Sequence, residues 1–435
     1  MKNIFFTIFL ALSINSFAQK WVSPNYSNQY LDYRDLGYPG VNEIPADDSR
    51  ISALLTNNGK YVYGATSGKQ AYLFLFDKYI NKVRPLGKLP NTSGIHHTMV
   101  SDDEGNIYIG TGMNLLDEIP LTRDFSGGHR AIETQLWKDV LNYHADFEGG
   151  RILKYSTKND EKVFLTDDNA IVEDLGLVQG KNSIYALTIN NNKDALYGIT
   201  YPEAHFFKFD IKLKQTIDYG EMLDTLVYSG PERSWRSVPR ALVCLENGKI
   251  LTAGDDGLIV LFNPETEKFE KTDMRIPGEY WESWNYIGYP VVEQLVVGGN
   301  NTIFGSTSDG FIFKIDLRSN TLIDLGKPRL ARRVRGMALA KDSTLYMLCG
   351  ELGQPCKLYS YNTNGLEGFE NWSYISVDRS PYYAKRAYQF DAMSISDDGT
   401  LFMGESDRRG KLFLFMPGGD IFKGGLNPKT LGSIN

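Results

Sequence analysis

Cysteine and histidine are scarce: 435 residues contain three of the first and five of the second. The cysteines, Cys244, Cys349 and Cys356, form no Cys-x-x-Cys pair and have no histidine close by, which argues against a zinc or iron–sulfur site. A bridge between Cys349 and Cys356, which flank "GELGQP", is expected if the chain meets an oxidising compartment. Cys244 lies in an apolar strand and reads as a buried thiol. No apolar run is long enough to span a bilayer, so no membrane association is expected. Basic excess is missing too, with 46 Lys and Arg against 53 Asp and Glu and a net charge of −7. Nucleic acid is therefore a poor partner.

The one marked apolar run, Ile4 to Leu12, follows a single early Lys2 and precedes Ser16-Phe17-Ala18. That is the pattern of a secretory signal peptide, residues 1–18, cleaved after Ala18. Gln19 would be the first mature residue, so a lipid anchor on a cysteine there is excluded. The expected product is a soluble, secreted or periplasmic monomer whose single domain covers residues 19–435.

What fills that domain is a repeat. Each unit is an apolar strand, a Gly/Asn/Asp turn, a strand ending in a small residue, a loop, an aromatic-rich strand, a polar turn and a last strand. Copies begin at "ISALLTNNGKYVYGATS", "HTMVSDDEGNIYIGTG", "SIYALTINNNKDALYGIT" and "RALVCLENGKILTAG". Others begin at "EQLVVGGNNTIFGSTSDG", "RGMALAKDSTLYMLCG" and "DAMSISDDGTLFMGES". Short alternating strands bounded by turn dipeptides, repeated seven times, predict an all-β fold, a seven-bladed β-propeller of four-stranded antiparallel blades.

In such a blade the loops after the first and third strands share one end, and those here are tight polar turns such as "ENGK" and "DLRSN". The other end receives the 113–148 insertion, "TYPEAH", "LDTLVYSGPERSWRSVPR", "PGEYWESWNYIGYP", "KPRLARRVR" and "DRSPYYAKRAYQ". All five histidines (His96, His97, His129, His144 and His205) fall there, with surplus arginines and aromatic residues. Loops on a rigid scaffold are where binding and catalysis concentrate. Counting eight residues back from the turn glycine gives Ile51, His97, Arg240 and Asp391. Arg335 joins them if Ser343 replaces the glycine. These positions should ring the channel mouth.

Arginine, histidine and tyrosine among aromatic walls suit an acidic polysaccharide, since a guanidinium binds carboxylate or sulfate in a bidentate fork. The matching reaction is β-elimination at a uronic acid. It needs a cation on the carboxylate, a base for the C5 proton and an acid for the leaving oxygen. It requires no cofactor; a structural calcium is compatible with the sequence but not specified by it. Hydrolysis would need two opposed carboxylates, and several candidates (Asp255, Asp256, Asp309) sit in turns that look structural.

With the seven units, the signal peptide, the histidine-bearing second unit and the Tyr/Arg loop before the fourth, the chain resembles the secreted seven-bladed propeller polysaccharide lyases, in particular the ulvan lyases of marine bacteria. The resemblance implies His129, His144, Tyr228 and Arg240 as catalytic residues, with Arg236 an alternative to Arg240 as the neutraliser. Around them His97, Tyr201, His205, Arg236, Arg335 and Trp281 would bind substrate. Two other readings stay open. One is a metal-dependent oligogalacturonate-type lyase, with His97, His129, His144 and His205 as ligands, although no pair has tight ligand spacing. The other is a non-catalytic platform that binds a glycan or a protein.

Overall fold

The computed structural model describes residues 50–57, 61–78, 82–115, 145–162, 168–222, 238–254, 257–278, 290–329, 334–351, 354–365, 368–374, 390–406 and 412–417. The signal segment and the site candidates His129, His144, Tyr228, Arg236 and Trp281 lie outside them.

The described chain is all β, apart from a 3-10 turn at Thr157–Asn159. The first sheet holds β1 (Arg50–Asn57), β2 (Tyr61–Ser67), β3 (Tyr72–Asp77) and β4 (Lys82–Lys88), in that order. The next eight strands form one sheet. They are β5 (Gly94–Ser101), β6 (Asn106–Gly112), β7 (Gly149–Ser156), β8 (Val172–Gly180), β9 (Ser183–Ile189), β10 (Ala195–Tyr201), β11 (His205–Asp210) and β12 (Gln215–Glu221). Their order is β12-β11-β10-β9-β5-β6-β7-β8, so two antiparallel runs meet at β5 and β9, which pair in parallel at His97 and Ala186.

Three four-stranded sheets follow. One has β13 (Val243–Cys244), β14 (Ile250–Ala253), β15 (Leu258–Asn263) and β16 (Lys268–Arg275). The next has β17 (Val292–Val297), β18 (Thr302–Thr307), β19 (Ile312–Asp316) and β20 (Thr321–Gly326). The third has β21 (Val334–Leu339), β22 (Thr344–Glu351), β23 (Gln354–Asn362) and β24 (Glu370–Tyr374). A three-stranded sheet of β25 (Phe390–Ile395), β26 (Leu401–Glu405) and β27 (Leu412–Phe415) ends the described chain.

The leading strands close a ring. β1 packs on β5, β5 on β9, β9 on β13, β13 on β17, β17 on β21, β21 on β25, and β25 back on β1. Apolar clusters fill the space between neighbouring sheets. Leu73, Leu75 and Tyr63 meet Ile107, Ile109 and Tyr155, while Ile51, Phe74 and Phe76 meet Ala392, Phe402 and Leu414 across the closing seam. In three sheets the outer end of a phenylalanine ring fills the space beside a paired glycine: Phe74 at Gly64, Phe207 at Gly198 and Phe313 at Gly305. Any side chain there would displace the ring. The tight turns work as the sequence suggests. Asp102 Oδ1 accepts the amides of Glu104 (2.9 Å) and Asn106 (2.8 Å) around Gly105. Ser343 does occupy the left-handed position, at φ +67°, that glycine holds elsewhere.

The expected Cys349–Cys356 bridge is not formed; all three cysteines are free thiols. Cys349 pairs with Lys357, so the adjacent Cys356 points to the opposite face of the sheet. Cys349 packs towards Phe304 and Met337, whereas Cys356 packs towards Phe390 and Phe413. Burial pushes both thiols up, and Cys244 is only partly buried.

Candidate functional site

The leading strands all run the same way, so their first residues share one end of the ring. Arg50, His96, His97 and Arg335 stand at or near the starts of β1, β5 and β21, and Arg240 stands just before β13. Of the residues that counting placed at the channel mouth, His97, Arg240, Arg335 and Asp391 converge, whereas Ile51 packs between the first and last sheets. His97 reaches across the channel with Nδ1 3.2 Å from the Arg240 carbonyl and Nε2 3.1 Å from that of Asp391. Gln294 Nε2 donates to the Arg335 carbonyl at 2.7 Å and lies 3.2 Å from His97 Nδ1. A neutral imidazole satisfies this arrangement. One nitrogen donates to a carbonyl and the other accepts the second hydrogen of Gln294.

Beside this knot is a buried charge network. Asp391 accepts from Arg335 Nη1 at 2.8 Å, from both terminal nitrogens of Arg240 at 3.4 Å, and from the Ser406 hydroxyl. Arg240 also reaches Glu293 at 3.2 Å, and its guanidinium lies 5.5 Å from the Tyr185 ring. Arg240 is 4% exposed, Asp391 1% and Glu293 0%. Burial works against the Arg240 charge, but Tyr185, Glu293 and Asp391 outweigh it and hold the guanidinium more firmly protonated than usual. The same charge acts on the histidines. Burial, then Arg240, pushes His97 down to about 4 and His96 down to about 3. His96 contacts the Met113 carbonyl at 3.0 Å and packs edge-on against Tyr185.

A cavity of about 200 Å³ adjoins the knot. Apart from His96, its lining lies at the level of His97 or further along the leading strands: Ser52–Leu54, Thr98, Met99, Ala241, Leu242, Leu295, Ala392 and Met393. It therefore extends from the knot towards the end that carries the tight polar turns. The knot stands between it and the end where the long loops attach.

The structure thus joins His97, Arg240 and Arg335 in one place and separates them from the other two described candidates. Arg240 is committed to two carboxylates, and its burial leaves no face for a substrate carboxylate. Tyr201 is a core residue at 0% exposure, its ring 5.4 Å from that of Tyr185, rather than a wall for sugar rings. His205 starts β11 at the loop-bearing end, where Nδ1 lies 2.8 Å from Asp218 Oδ2 and Nε2 lies 3.7 Å from Glu203 Oε2. Among the described residues no group of His, Cys, Asp and Glu has the geometry of a metal site. The sequence reading missed Glu293 and Gln294. A charged residue inside the apolar run "VVEQLVV" was the available signal, because such residues are rarely buried without a partner.

No protein-family model matches the chain, and no curated protein matches it by sequence. Solved structures do match in shape. A streptogramin B lyase has a TM-score of 0.54 at 11% identity, over 85% of this chain and 94% of that one. A catalytically inactive virginiamycin B lyase from Staphylococcus aureus with quinupristin gives 0.53 at 12%, over 85% and 97%. The extracellular domain of the putative hybrid two component system BT4673 from B. thetaiotaomicron gives 0.53 at 12%, over 89% of this chain and 39% of that one. The chain thus spans about two fifths of the length of that extracellular protein. At these identities the likeness concerns fold alone. Together with the closed ring of leading strands, it makes the protein a β-propeller.

Proposed function

We propose that the protein is an exported seven-bladed propeller that cleaves a uronate-containing, sulfated polysaccharide of the ulvan type by β-elimination. The eight-stranded sheet is then two blades joined at the His97–Ala186 pair, and the last blade shows three described strands. One observation carries the functional reading. The three described histidines and the basic residues Arg50, Arg240 and Arg335 all lie towards the end of the ring where the long loops attach, with His205 apart from the rest. No helix among the described residues is long and apolar enough to cross a membrane.

The substrate would lie across that end, over the knot. His129, His144 and Tyr228 would carry proton transfers and bind the uronate together with His97 and Arg335. Since Arg240 is held by Glu293 and Asp391, the carboxylate neutraliser in this reading is Arg236. Trp281 would stack on a sugar ring. No cofactor enters the chemistry.

Buried Arg240 and the neutral inner histidines favour a second reading, in which the channel residues only hold the ring and the loops bind a glycan or a protein without cutting it. The test is the ultraviolet absorbance of new unsaturated uronate ends. Purified mature protein is mixed with ulvan, polygalacturonate, alginate and glycosaminoglycans, with and without EDTA. A rise on ulvan that survives the chelator is expected. A rise abolished by EDTA would move the protein to the metal-dependent lyases. No rise on any polymer, with folded protein, would leave the binding platform.

A further inference from the structure

His205 stands apart from the channel in a closely built turn. Ala204, a non-glycine residue, takes the left-handed conformation at φ +56° and is pinned through its carbonyl by the Met222 amide at 3.1 Å. The His205 amide donates to Thr200 Oγ1 at 3.0 Å. Asn182, 1% exposed, accepts the Glu203 amide through Oδ1 at 2.9 Å and donates through Nδ2 to the Glu203 carboxylate at 2.7 Å. The same short junction anchors the end of the 113–148 insertion. Lys181 Nζ donates to the Ala145 carbonyl at 3.1 Å, and the Lys181 amide donates to that of Glu148 at 2.9 Å. Residues 145–148 thus lie against the junction that holds the Glu203–His205 turn.

Asp218, one strand outwards on β12, fixes the ring by accepting from Nδ1. That bond selects the tautomer with a lone pair on Nε2, which makes no hydrogen bond among the described residues. The Glu203 carboxylate, 3.7 Å from it, would stabilise the imidazolium once a proton arrives. A carboxylate-held imidazole whose other nitrogen makes no hydrogen bond is the arrangement of a general base.

We infer that His205 is the proton acceptor of the elimination and that Asp218 is its positioning residue. The inference rests on the lyase reading and narrows it. Nε2 takes the C5 proton, the C5–H electron pair becomes the C4=C5 double bond, and the C4–O bond breaks with its pair on the glycosidic oxygen. Tyr228 protonates that oxygen, and His129 and His144 are left to bind the uronate.

The test uses the full mature chain, with ulvan binding measured by affinity electrophoresis beside turnover. His205→Ala should bind ulvan as the wild type does while kcat falls by about 10²–10⁴-fold. Added imidazole should restore part of the rate. Asp218→Asn should lower kcat with KM little changed, and Asp218→Glu should recover more activity than Asp218→Asn. A folded, binding-competent His205→Ala variant within about threefold of wild-type kcat would overturn the inference and leave the lyase reading intact. A kcat loss that imidazole cannot restore, with a parallel loss of binding, would make His205 a binding residue and also overturn it. A wild-type protein that binds ulvan without cutting it would overturn both together.

Discussion

Removing the Asp391 carboxylate should injure this fold more than any exposed charge can. Asp391→Ala deletes an acceptor that serves Arg335, Arg240 and Ser406 at once. Arg240 keeps Glu293 at 3.2 Å, but a site that now holds two guanidiniums and one carboxylate carries an extra buried positive charge. Breaking a buried pair from one side costs about 3–5 kcal/mol, because the stranded charge loses hydration that nothing replaces. The fold has little spare compensation, since Asp391 and Glu293 are both almost wholly out of water. The comparison variant is Asp397→Ala, whose 3.0 Å pair with Lys341 leaves both side chains 74% exposed. Surface pairs of that kind contribute little. Denaturant unfolding of both variants, monitored by tryptophan fluorescence, should show a large fall in midpoint for the first and almost none for the second. If Asp391→Ala lost less than about 1 kcal/mol with an unchanged m-value, the charge network would not be a buried, unhydrated one and the reasoning would fail.

Further tests concern acid, a tyrosine pair and the thiols. His96 and His97 titrate below the usual histidine range when folded, so the unfolded chain binds protons more readily. Stability should be full above the ordinary histidine value near pH 6.5 and decline as the pH falls towards about 4; His97→Asn should flatten midpoints measured across that window. Tyr63 and Tyr155 both donate to buried Asp160, so Tyr63→Phe should cost about 1–2 kcal/mol in denaturant titration. Thiol labelling of native protein should modify Cys244 first, with Cys349 and Cys356 reacting only on unfolding. Non-reducing electrophoresis that revealed an internal bridge would contradict the free thiols.

The sequence carried the architecture well because strand, turn and glycine obey local rules. Asp102 with Gly105, and even Ser343 in a glycine's place, could be read one unit at a time. The convergence of His97, Arg240 and Asp391 was also legible, because equal distances from a turn put residues at equal heights in the ring. What could not be read was whether those groups meet a substrate or one another. The pairing of Arg240 with Glu293 joins residues 53 positions apart and depends on how β13 and β17 pack side by side in the ring. Tyr201 looked like a loop residue within "TYPEAH", yet its ring turns inward to Tyr185. The cysteines looked bridgeable by spacing, and the pleat of β22 against β23 sends them to opposite faces.

The closing seam fixes the order in which this molecule can be made. Thr56 donates to the Ile395 carbonyl at 2.9 Å and takes the Ser394 hydroxyl at 3.1 Å, while Ile51 is packed among side chains of the last sheet. These partners are separated by 338 or 339 residues, so the first sheet waits for nearly the whole chain before its outer flank is covered. Contacts of such long range form late and make folding slow, and until they form a row of apolar side chains faces water. A chain synthesised from its N-terminus would carry that flank bare until its last strands appear, and a holding chaperone would have the first sheet as its natural target.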